Sequence, residues 1–325
     1  MPFIKSEVHN ILVISLSNIG DVLLTFPVID ILRRDFPQER ISLVVGPKAA
    51  SLFSNNSHFK KVYIFDKRQS APKTLSWIFE MRKEVFDLVV DLRHTLIPYM
   101  IKSRWKTPIS YKKEKNIHKR VQHLHRLKTV YPYQDEAASR ATLFIPNEDR
   151  KVIDDFVKKE IEGFRFVVIG AGAADHRKRW HEQGFAELCD HLANTYRLKF
   201  VLIGDQNDHD VAKKILNMMK TQAINLCGRL TLIQLAALME RAVMVIVNDS
   251  APMHMASYLN KPVLAIFGPS DPSLYGPWSD RCKFLRSPKY ANASCVSSAQ
   301  GGITDISTSD ILNAFQITDK GVIFS

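Results

Sequence analysis

The stretch 242–256 constrains the fold of this chain more than any other part of the sequence. It begins with an apolar run over 242–247, which is typical of a fully buried strand. The chain then turns, offers Ser250 as a helix cap and places Pro252 near the first helical position. A second apolar run follows over 263–268. Strand, short helix and strand over this distance predict a parallel crossover.

Such a crossover points the amino end of its helix out of the carboxyl edge of a sheet. The free N–H groups and the partial positive charge at a helix amino end attract anions, typically phosphates. The residues around Asp249 and Ser250 therefore predict an anion site.

The same alternation of strand and helix recurs along the chain and predicts open parallel sheets covered on both faces. Apolar strands are predicted at 10–16, 41–46, 61–65, 87–92, 164–170, 200–204, 223–226, 242–247 and 263–268. Helices are predicted from Lys48 to Phe53, from Lys73 to Phe86 and from Ser309, as its cap, to Phe315. Polar residues near 146–150 separate two halves, so we predict an α/β chain with domains 1–148 and 149–325.

Composition narrows the class of protein without fixing its partner. The chain has 325 residues, of which 46% are hydrophobic and 24% charged, as in ordinary globular proteins. Its formal net charge of +12 favours nucleic acid, an anionic membrane surface or an anionic small substrate.

Neither a signal peptide nor an apolar stretch of the roughly 18–20 residues that span a bilayer is present, so we expect a cytoplasmic protein. The four cysteines form no CxxC pair and no metal-like spacing, which predicts reduced structural thiols and no metal site.

The segment from Tyr99 to Lys128 is strongly basic, and within it only Glu114 opposes the cations. It is interpreted either as a solvated basic loop and helix face or as a surface that meets an anionic partner, including a membrane-borne one. As possible acceptor contacts it offers Lys112, Lys113, Lys115 and Arg120.

Three loops of the second half follow predicted strands, where open parallel sheets bind ligands. The first holds Gly172 and three cations, of which Lys178 would act as a mobile point charge on a diphosphate and Arg177 or Arg179 would engage two oxygens. In the second, Asp208 is either a ribose contact or a polar turn residue. In the third, His254 is either a ligand contact or a buried structural histidine.

In the first half, Gly20 and Asp21 lie where the first strand ends. Glycine permits close approach of a ligand. Asp21 is then either an ordinary helix cap or a general base that accepts a proton from an attacking hydroxyl.

With these residues identified, the chain resembles glycosyltransferase family 9, the ADP-heptose:lipopolysaccharide heptosyltransferases. The stretch 16–27, LSNIGDVLLTFP, is similar to the family's amino-terminal signature, and 248–256, NDSAPMHMA, continuing to 272, is similar to its carboxyl-terminal one. The sequence KRW at 178–180 matches the lysine-containing segment between them.

The resemblance implies a GT-B fold, in which two Rossmann-like domains with parallel sheets face each other across a cleft. The first domain would hold the acceptor and the second the nucleotide sugar. By resemblance, Asp21 is the base and Lys178 contacts the donor phosphates. The diphosphate and sugar would be lined by Asp249, Ser250, Ala251 and His254, with Asp208 nearer the ribose.

The implied reaction is inverting transfer of a heptose from ADP-heptose to an anionic lipopolysaccharide core acceptor of the lipid A–Kdo type, with no cofactor or metal. The acceptor would be a glycolipid at the inner membrane face, reached by a peripheral protein, and no nucleic acid partner is expected. The sequence departs from the family pattern at two places. Asp-Ser-Ala replaces Asp-Thr-Gly at 249–251, which bears on how closely the backbone approaches a phosphate, and Ala173 and Ala174 replace hydroxyl-bearing residues, which bears on the identity of the donor sugar.

Three alternatives remain open. A relative with this fold would use another nucleotide sugar or another glycan acceptor. An RNA-binding protein would use the basic segment, although the sequence has no recognisable nucleic-acid motif. A catalytically idle binding subunit would not depend on Asp21. The sequence does not determine the oligomeric state.

Overall fold

The computed structural model describes residues 3–54, 56–111, 114, 116–136, 140–290 and 302–325. The chain divides into two compact units, Met1–Phe144 and Ile145–Ser325, so the division falls just before the predicted boundary at 148/149. Each unit is built around its own parallel sheet.

Unit 1 contains a five-stranded sheet in the order β3-β2-β1-β4-β5, with every neighbouring pair parallel. Its strands are β1 (Asn10–Ile14), β2 (Arg40–Val45), β3 (Lys61–Ile64), β4 (Val85–Asp91) and β5 (Lys102–Lys106). Its helices are α1 (Ile19–Leu23), α2 (Phe26–Asp35), α3 (Ala71–Met81), α4 (Ile97–Met100) and α5 (Lys119–Lys128), with 3-10 turns at Lys5–Glu7 and Pro47–Phe53.

Unit 2 contains a six-stranded parallel sheet in the order β11-β10-β9-β6-β7-β8. Its strands are β6 (Phe166–Gly170), β7 (Lys199–Leu202), β8 (Ile224–Asn225), β9 (Met244–Asn248), β10 (Val263–Phe267) and β11 (Cys282–Arg286), with a separate hairpin of β12 (Phe315–Thr318) and β13 (Gly321–Phe324).

The helices of unit 2 are α6 (Asn147–Phe156), α7 (Glu182–Tyr196), α8 (His209–Met218), α9 (Leu232–Arg241), α10 (Ala251–Tyr258), α11 (Pro272–Tyr275) and α12 (Thr308–Leu312). Short turns lie at His176–Lys178, Gln206–Asp208 and Pro288–Tyr290, and a π turn at Val157–Ile161 follows α6. The strands β6, β9 and β10 are buried along their whole length, which explains their continuous apolar sequences.

The strand order reverses direction once in each sheet. In unit 1 the reversal lies between β1 and β4, and in unit 2 between β6 and β9. Loops that leave the carboxyl ends of two such neighbouring strands diverge to opposite faces of the sheet and leave a crevice where ligands bind. The loops after β1 and β9, which carry the two family signatures, are therefore in the positions that favour ligand binding.

The structure corrects three local predictions. The helix predicted at 73–86 ends at Met81, because Val85 and Phe86 already belong to β4. The helix predicted at 48–53 is a 3-10 turn. The terminal helix is capped by Ser307 rather than Ser309, since Ser307 and Asp310 form a reciprocal capping box.

Candidate active site

The strongest concentration of candidate residues lies at the reversal point of the unit 2 sheet. Gly170 at the end of β6 is directly opposite Val247 in β9, so the loops that follow these strands start side by side. The loop after β6 carries Gly172 and the three cations, and the loop after β9 leads into α10.

Asn248 holds these two loops together. Its side chain is fully buried, and its Nδ2 donates to the carbonyl of Ala171 at 2.7 Å while its Oδ1 accepts from the backbone N–H of Trp180 at 3.1 Å. Trp180 is itself buried and donates from Nε1 to the carbonyl of Ile306 at 2.9 Å, so it belongs to the core. A single amide therefore fixes both ends of the cationic loop against the strand that precedes α10.

Lys178 and Asp249 form the central ion pair of this arrangement. The Nζ of Lys178 lies 2.7 Å from Oδ2 of Asp249, whose side chain is only 6% exposed, while Lys178 is 30% exposed. A carboxylate this buried needs a charged partner. The pair places a partly exposed ammonium beside the start of α10.

Ser250 is the N-cap residue of α10, as predicted, but its hydroxyl does not cap the helix. It donates instead to the carbonyl of Asn248 at 3.1 Å. Ala251 and Pro252 begin the helix. His254 is buried in it and stacks on Trp278, with the ring centroids 5.7 Å apart.

Gly172, Asp208 and Arg179 form a second group on the other side of the cationic loop. A Cβ on Gly172 would come within 2.1 Å of the Asp208 carboxyl, so only glycine allows this close approach. Asp208 accepts from the backbone N–H of Asp205 at 3.0 Å, and burial raises the pKa of its carboxyl. Arg179 lies 3.9 Å from Asp208 and donates twice to the carbonyl of Ala173.

Arg177 pairs with Asp175, two residues earlier in the same loop, and not with Asp249 as Lys178 does. Its guanidinium makes a two-pronged contact with that carboxylate, with Nη2 at 2.7 Å from Oδ2. This hydrogen bonding lowers the pKa of Asp175 to about 2. Of the three predicted cations, Lys178 is the one that contacts the loop before α10.

In unit 1, Gly20 and Asp21 lie in the first turn of α1, directly after β1. The N-cap residue of α1 is Asn18, so the cap interpretation of Asp21 is wrong. The Asn18 side chain donates from Nδ2 to Oδ2 of Asp21 at 3.0 Å, and Asp21 is partly exposed. The carboxylate is thus oriented by one neighbour and accessible to another group.

The family can now be assigned. A model of "Glycosyltransferase family 9 (heptosyltransferase)" matches residues 80–301, which is more than half of the chain. This chain belongs to glycosyltransferase family 9. It is a glycosyltransferase, and the recognition made from the two signatures is confirmed.

Individual relatives agree with the family assignment. Lipopolysaccharide heptosyltransferase 3 of Escherichia coli is 25% identical over 285 residues, covering 80% of this chain and 84% of that protein. A family 9 glycosyl transferase from Veillonella parvula has a TM-score of 0.81 at 22% identity, covering 95% of this chain and 96% of that one.

The E. coli heptosyltransferase WaaC is also similar in fold. Its structure with ADP has a TM-score of 0.73 at 17% identity, and its structure with ADP-2-deoxy-2-fluoro heptose has 0.70 at 16%, each covering 93% of this chain and 98% of that one. These likenesses confirm that this family 9 chain has the α/β GT-B fold.

The basic segment of this family 9 protein is not one solvated face. Arg126 is 2% exposed, Arg120 pairs with Glu136 from outside the segment, and Arg104 pairs with Glu7. The predicted contacts Lys112, Lys113 and Lys115 lie outside the described residues. The segment also contributes β5, which the sequence analysis missed.

Within the described part of the chain, no group of three or more His, Cys, Asp or Glu side chains has the arrangement of a metal site. Cys189 and Cys227 are buried free thiols, and burial raises the pKa of Cys227 to about 12. Cys282 is partly buried, with its Sγ 2.8 Å from the hydroxyl of Ser279, and Cys295 lies outside the described residues. None of the helices among the described residues has the length and apolar character to cross a membrane.

Sequence reasoning missed two groups that support the site. Asn248 was seen only as a turn residue, although an amide between a buried strand and a helix start signals a tether. Arg126 was predicted only as one cation of the basic segment 99–128, and Arg93 carried no motif that would have identified it. In the structure Arg126 donates to the carbonyl of Asp91 and Arg93 to the hydroxyl of Ser17.

Proposed function

We propose that this family 9 enzyme transfers a heptose from ADP-heptose to an anionic lipopolysaccharide core acceptor with inversion at the anomeric carbon. The observation that carries the proposal is the Lys178–Asp249 pair beside the start of α10, at the reversal point of the unit 2 sheet. The names of the relatives support the donor and the acceptor class: one is a lipopolysaccharide heptosyltransferase, and WaaC was solved with ADP and with an ADP-heptose analogue.

On the donor side, the diphosphate binds at the amino end of α10, where the partial positive charge of the helix and Lys178 stabilise its charge. Asp249 orients the Lys178 ammonium and, with Ser250, Ala251 and His254, lines the diphosphate and sugar. Asp208, together with Gly172 and Arg179, lies nearer the ribose. A nucleoside diphosphate is a good leaving group, so charge stabilisation matters more than protonation.

On the acceptor side, Asp21 acts as the general base. The acceptor hydroxyl oxygen forms a bond to the anomeric carbon as the carbon–oxygen bond to ADP breaks, and the hydroxyl proton passes to the Asp21 carboxylate. One base on the face opposite the leaving group is sufficient for direct inversion. The Nδ2 of Asn18 donates to Oδ2 of this carboxylate and holds it in place.

The decisive experiment is Asp21→Asn. We expect transfer to fall by about 100- to 10,000-fold, the usual range for loss of a general base, while ADP binding stays near that of the wild type. Turnover at the wild-type rate by this variant would refute the base assignment and would leave room for a catalytically idle binding subunit.

The donor nucleotide is tested separately by thermal stabilisation. Because a ligand that binds only the folded state raises the melting temperature, ADP should stabilise the protein more than UDP or GDP at equal concentration. A larger shift with UDP or GDP would indicate another nucleotide sugar.

We also propose that the reaction needs no metal cofactor. The rate of transfer should then be the same with and without a metal chelator.

We further propose that the enzyme reaches its acceptor as a peripheral protein at the inner membrane face. An apolar patch in unit 1 supports this, formed by the exposed side chains Leu96, Tyr99, Met100 and Ile109. Lys102 is exposed nearby in β5, and the Lys106 ammonium lies 5.1 Å from the Tyr99 ring centre. Apolar side chains flanked by lysines are suited to an anionic lipid surface.

Vesicle sedimentation tests this location. Binding to phosphatidylglycerol vesicles should exceed binding to neutral vesicles and should fall in the double variant Leu96→Ser, Ile109→Ser. Phe79→Ser is the matched control, because Phe79 is also exposed but lies in α3. Equal loss in both variants would contradict the assignment of the patch.

A further inference from the structure

Three charged side chains come together near the carboxyl end of β4 in unit 1. Asp91 is fully buried, Arg126 from α5 is 2% exposed, and Arg93 is partly buried. The transfer reaction proposed above gives these three side chains no role. Two guanidinium groups and one carboxylate leave an excess of buried positive charge.

The Asp91 carboxylate is already satisfied by its own loop. Its Oδ1 accepts from the backbone N–H of Arg93 at 2.8 Å, and its Oδ2 accepts from the N–H and the hydroxyl of Thr95 at 2.5 and 3.1 Å. Arg126 donates from Nε to the backbone carbonyl of Asp91 at 3.1 Å, not to its carboxylate. Among the described residues, neither guanidinium makes an ion pair with a carboxylate.

Three donors therefore stay unused in the part of the chain that the structure describes. They are the Nη1 groups of Arg93 and Arg126 and the hydroxyl of Tyr111, each buried and without a hydrogen-bond partner there. The Arg126 guanidinium lies 5.5 Å from the centre of the Tyr111 ring, which brings two of these donors together. Buried charged donors without partners are costly, so their retention indicates an anionic ligand.

Burial also shifts the pKa values of the three charged groups. Burial lowers the pKa of both Arg93 and Arg126, and burial raises the pKa of Asp91. An added anion would favour the charged form of both guanidinium groups.

Arg93 also connects this cluster to the proposed base. Its Nη2 donates to the hydroxyl of Ser17, and the next residue, Asn18, donates to Asp21. Both loops follow neighbouring strands, β1 and β4, at the reversal point of the unit 1 sheet. Arg93 is partly exposed, so a ligand can approach it from solvent.

We propose that Arg93, Arg126 and Tyr111 form a subsite for an oxyanion of the acceptor, a carboxylate or a phosphate group, beside Asp21. The fork of a guanidinium matches two oxygens of either group, and the Tyr111 hydroxyl supplies a neutral donor. The subsite positions the acceptor so that its hydroxyl meets the base. Its role in transfer rests on the proposed function, but its ability to bind an oxyanion does not.

Binding is tested first, without any turnover. The full chain is titrated calorimetrically with inorganic phosphate and separately with acetate. We expect Arg93→Gln to weaken binding of at least one anion about ten- to hundredfold, because it removes charged hydrogen bonds, and Tyr111→Phe to weaken it less. Lys178→Gln separates this site from the donor site, since it should leave the Arg93-dependent binding intact.

Turnover is tested second. Arg93→Gln should raise the KM for the acceptor about ten- to hundredfold with little change in the KM for the donor, whereas Arg82→Gln, an exposed arginine in the same unit, should change neither. If the effect of Arg93→Gln disappears with a dephosphorylated acceptor, the ligand group is a phosphate; if it persists, the group is a carboxylate.

Two outcomes would overturn the inference. In the binding experiment, Lys178→Gln would abolish anion binding while Arg93→Gln left it unchanged. In the turnover experiment, Arg93→Gln and Arg82→Gln would change the KM for the acceptor equally. Oxyanion binding that depends on Arg93 in a protein that transfers no heptose would instead refute the proposed function and support the subsite. Because Tyr111→Phe removes only a hydroxyl, it keeps the test informative if Arg93→Gln impairs folding.

Discussion

At the scale of single residues, the site depends on contacts between positions far apart in sequence. Asn248 joins Ala171 to Trp180, and Lys178 meets Asp249 although 71 positions separate them. The sequence showed the polar character of these residues and their positions after buried strands. It did not show which side chains would pair, because pairing depends on how strands line up in the sheet.

The tether gives a stability prediction. Asn248→Asp replaces the Nδ2 donor by an oxygen that faces the Ala171 carbonyl inside the core, so we expect a loss of about 2–4 kcal/mol in the free energy of unfolding. Urea denaturation measures it. Asn225→Asp is the matched control, since Asn225 accepts through Oδ1 from Cys227 and an aspartate keeps that acceptor. Equal losses in the two variants would contradict the tether.

The Arg177–Asp175 pair gives a prediction for acid solution. The pKa of Asp175 falls from 3.8 to about 2 in the folded protein, so the pair stabilises the fold above the unfolded pKa and loses this effect as the pH falls towards 2. The wild type should exceed Asp175→Asn in unfolding free energy by a constant amount above about pH 5. The difference should shrink as the pH falls towards 2 and vanish below the folded pKa; a difference that stays constant throughout would exclude this pair as its source.

At the scale of elements, the sequence predicted the strands that contain apolar runs, including the edge strand β3, and missed β5 and β11, whose sequences mix charged and apolar residues. Strands β6, β9 and β10 are continuous apolar runs because both faces of the sheet are covered. Strand β5 was missed because Trp105 is its single buried residue and charged residues lie on both sides of it, so it has no apolar run. The two signature stretches lie directly after β1 and at the end of β9, as their sequences predicted, whereas the Arg93–Arg126 cluster could be recognised only from the sheet order.

The N-cap residue of helix α12 could not be chosen from the sequence, because residues 307–309 all carry a hydroxyl group. The structure identifies it as Ser307. Ser307→Ala should cost about 1 kcal/mol, since it removes the bond that Ser307 Oγ accepts from the Asp310 N–H. Ser309→Ala, two residues later, should cost nearly nothing, because Ser309 is not the N-cap residue. Chemical denaturation of both variants measures the contrast, and a larger effect at Ser309 would reverse the assignment.

At the scale of the whole molecule, each unit has its own sheet and its own reversal point, which suits one protein that binds two different substrates. The net charge of +12 is then consistent with the two anionic ligands that we propose, a nucleotide diphosphate and an acidic glycan. Family membership favours this explanation over the RNA-binding alternative.

The boundary between the units gives a prediction about independent folding. A fragment of residues 145–325 keeps α6, which packs on α9 and pairs Arg150 with Glu240 and Asp154 with Arg241. We expect this fragment to unfold cooperatively on heating and to be stabilised by ADP. A fragment beginning at 157 should melt at a lower temperature, because it lacks α6 and exposes the face of α9 that α6 covers.

Lys178→Gln in the longer fragment should reduce the shift with ADP. If the longer fragment binds no ADP although the full chain does, nucleotide binding requires unit 1 as well.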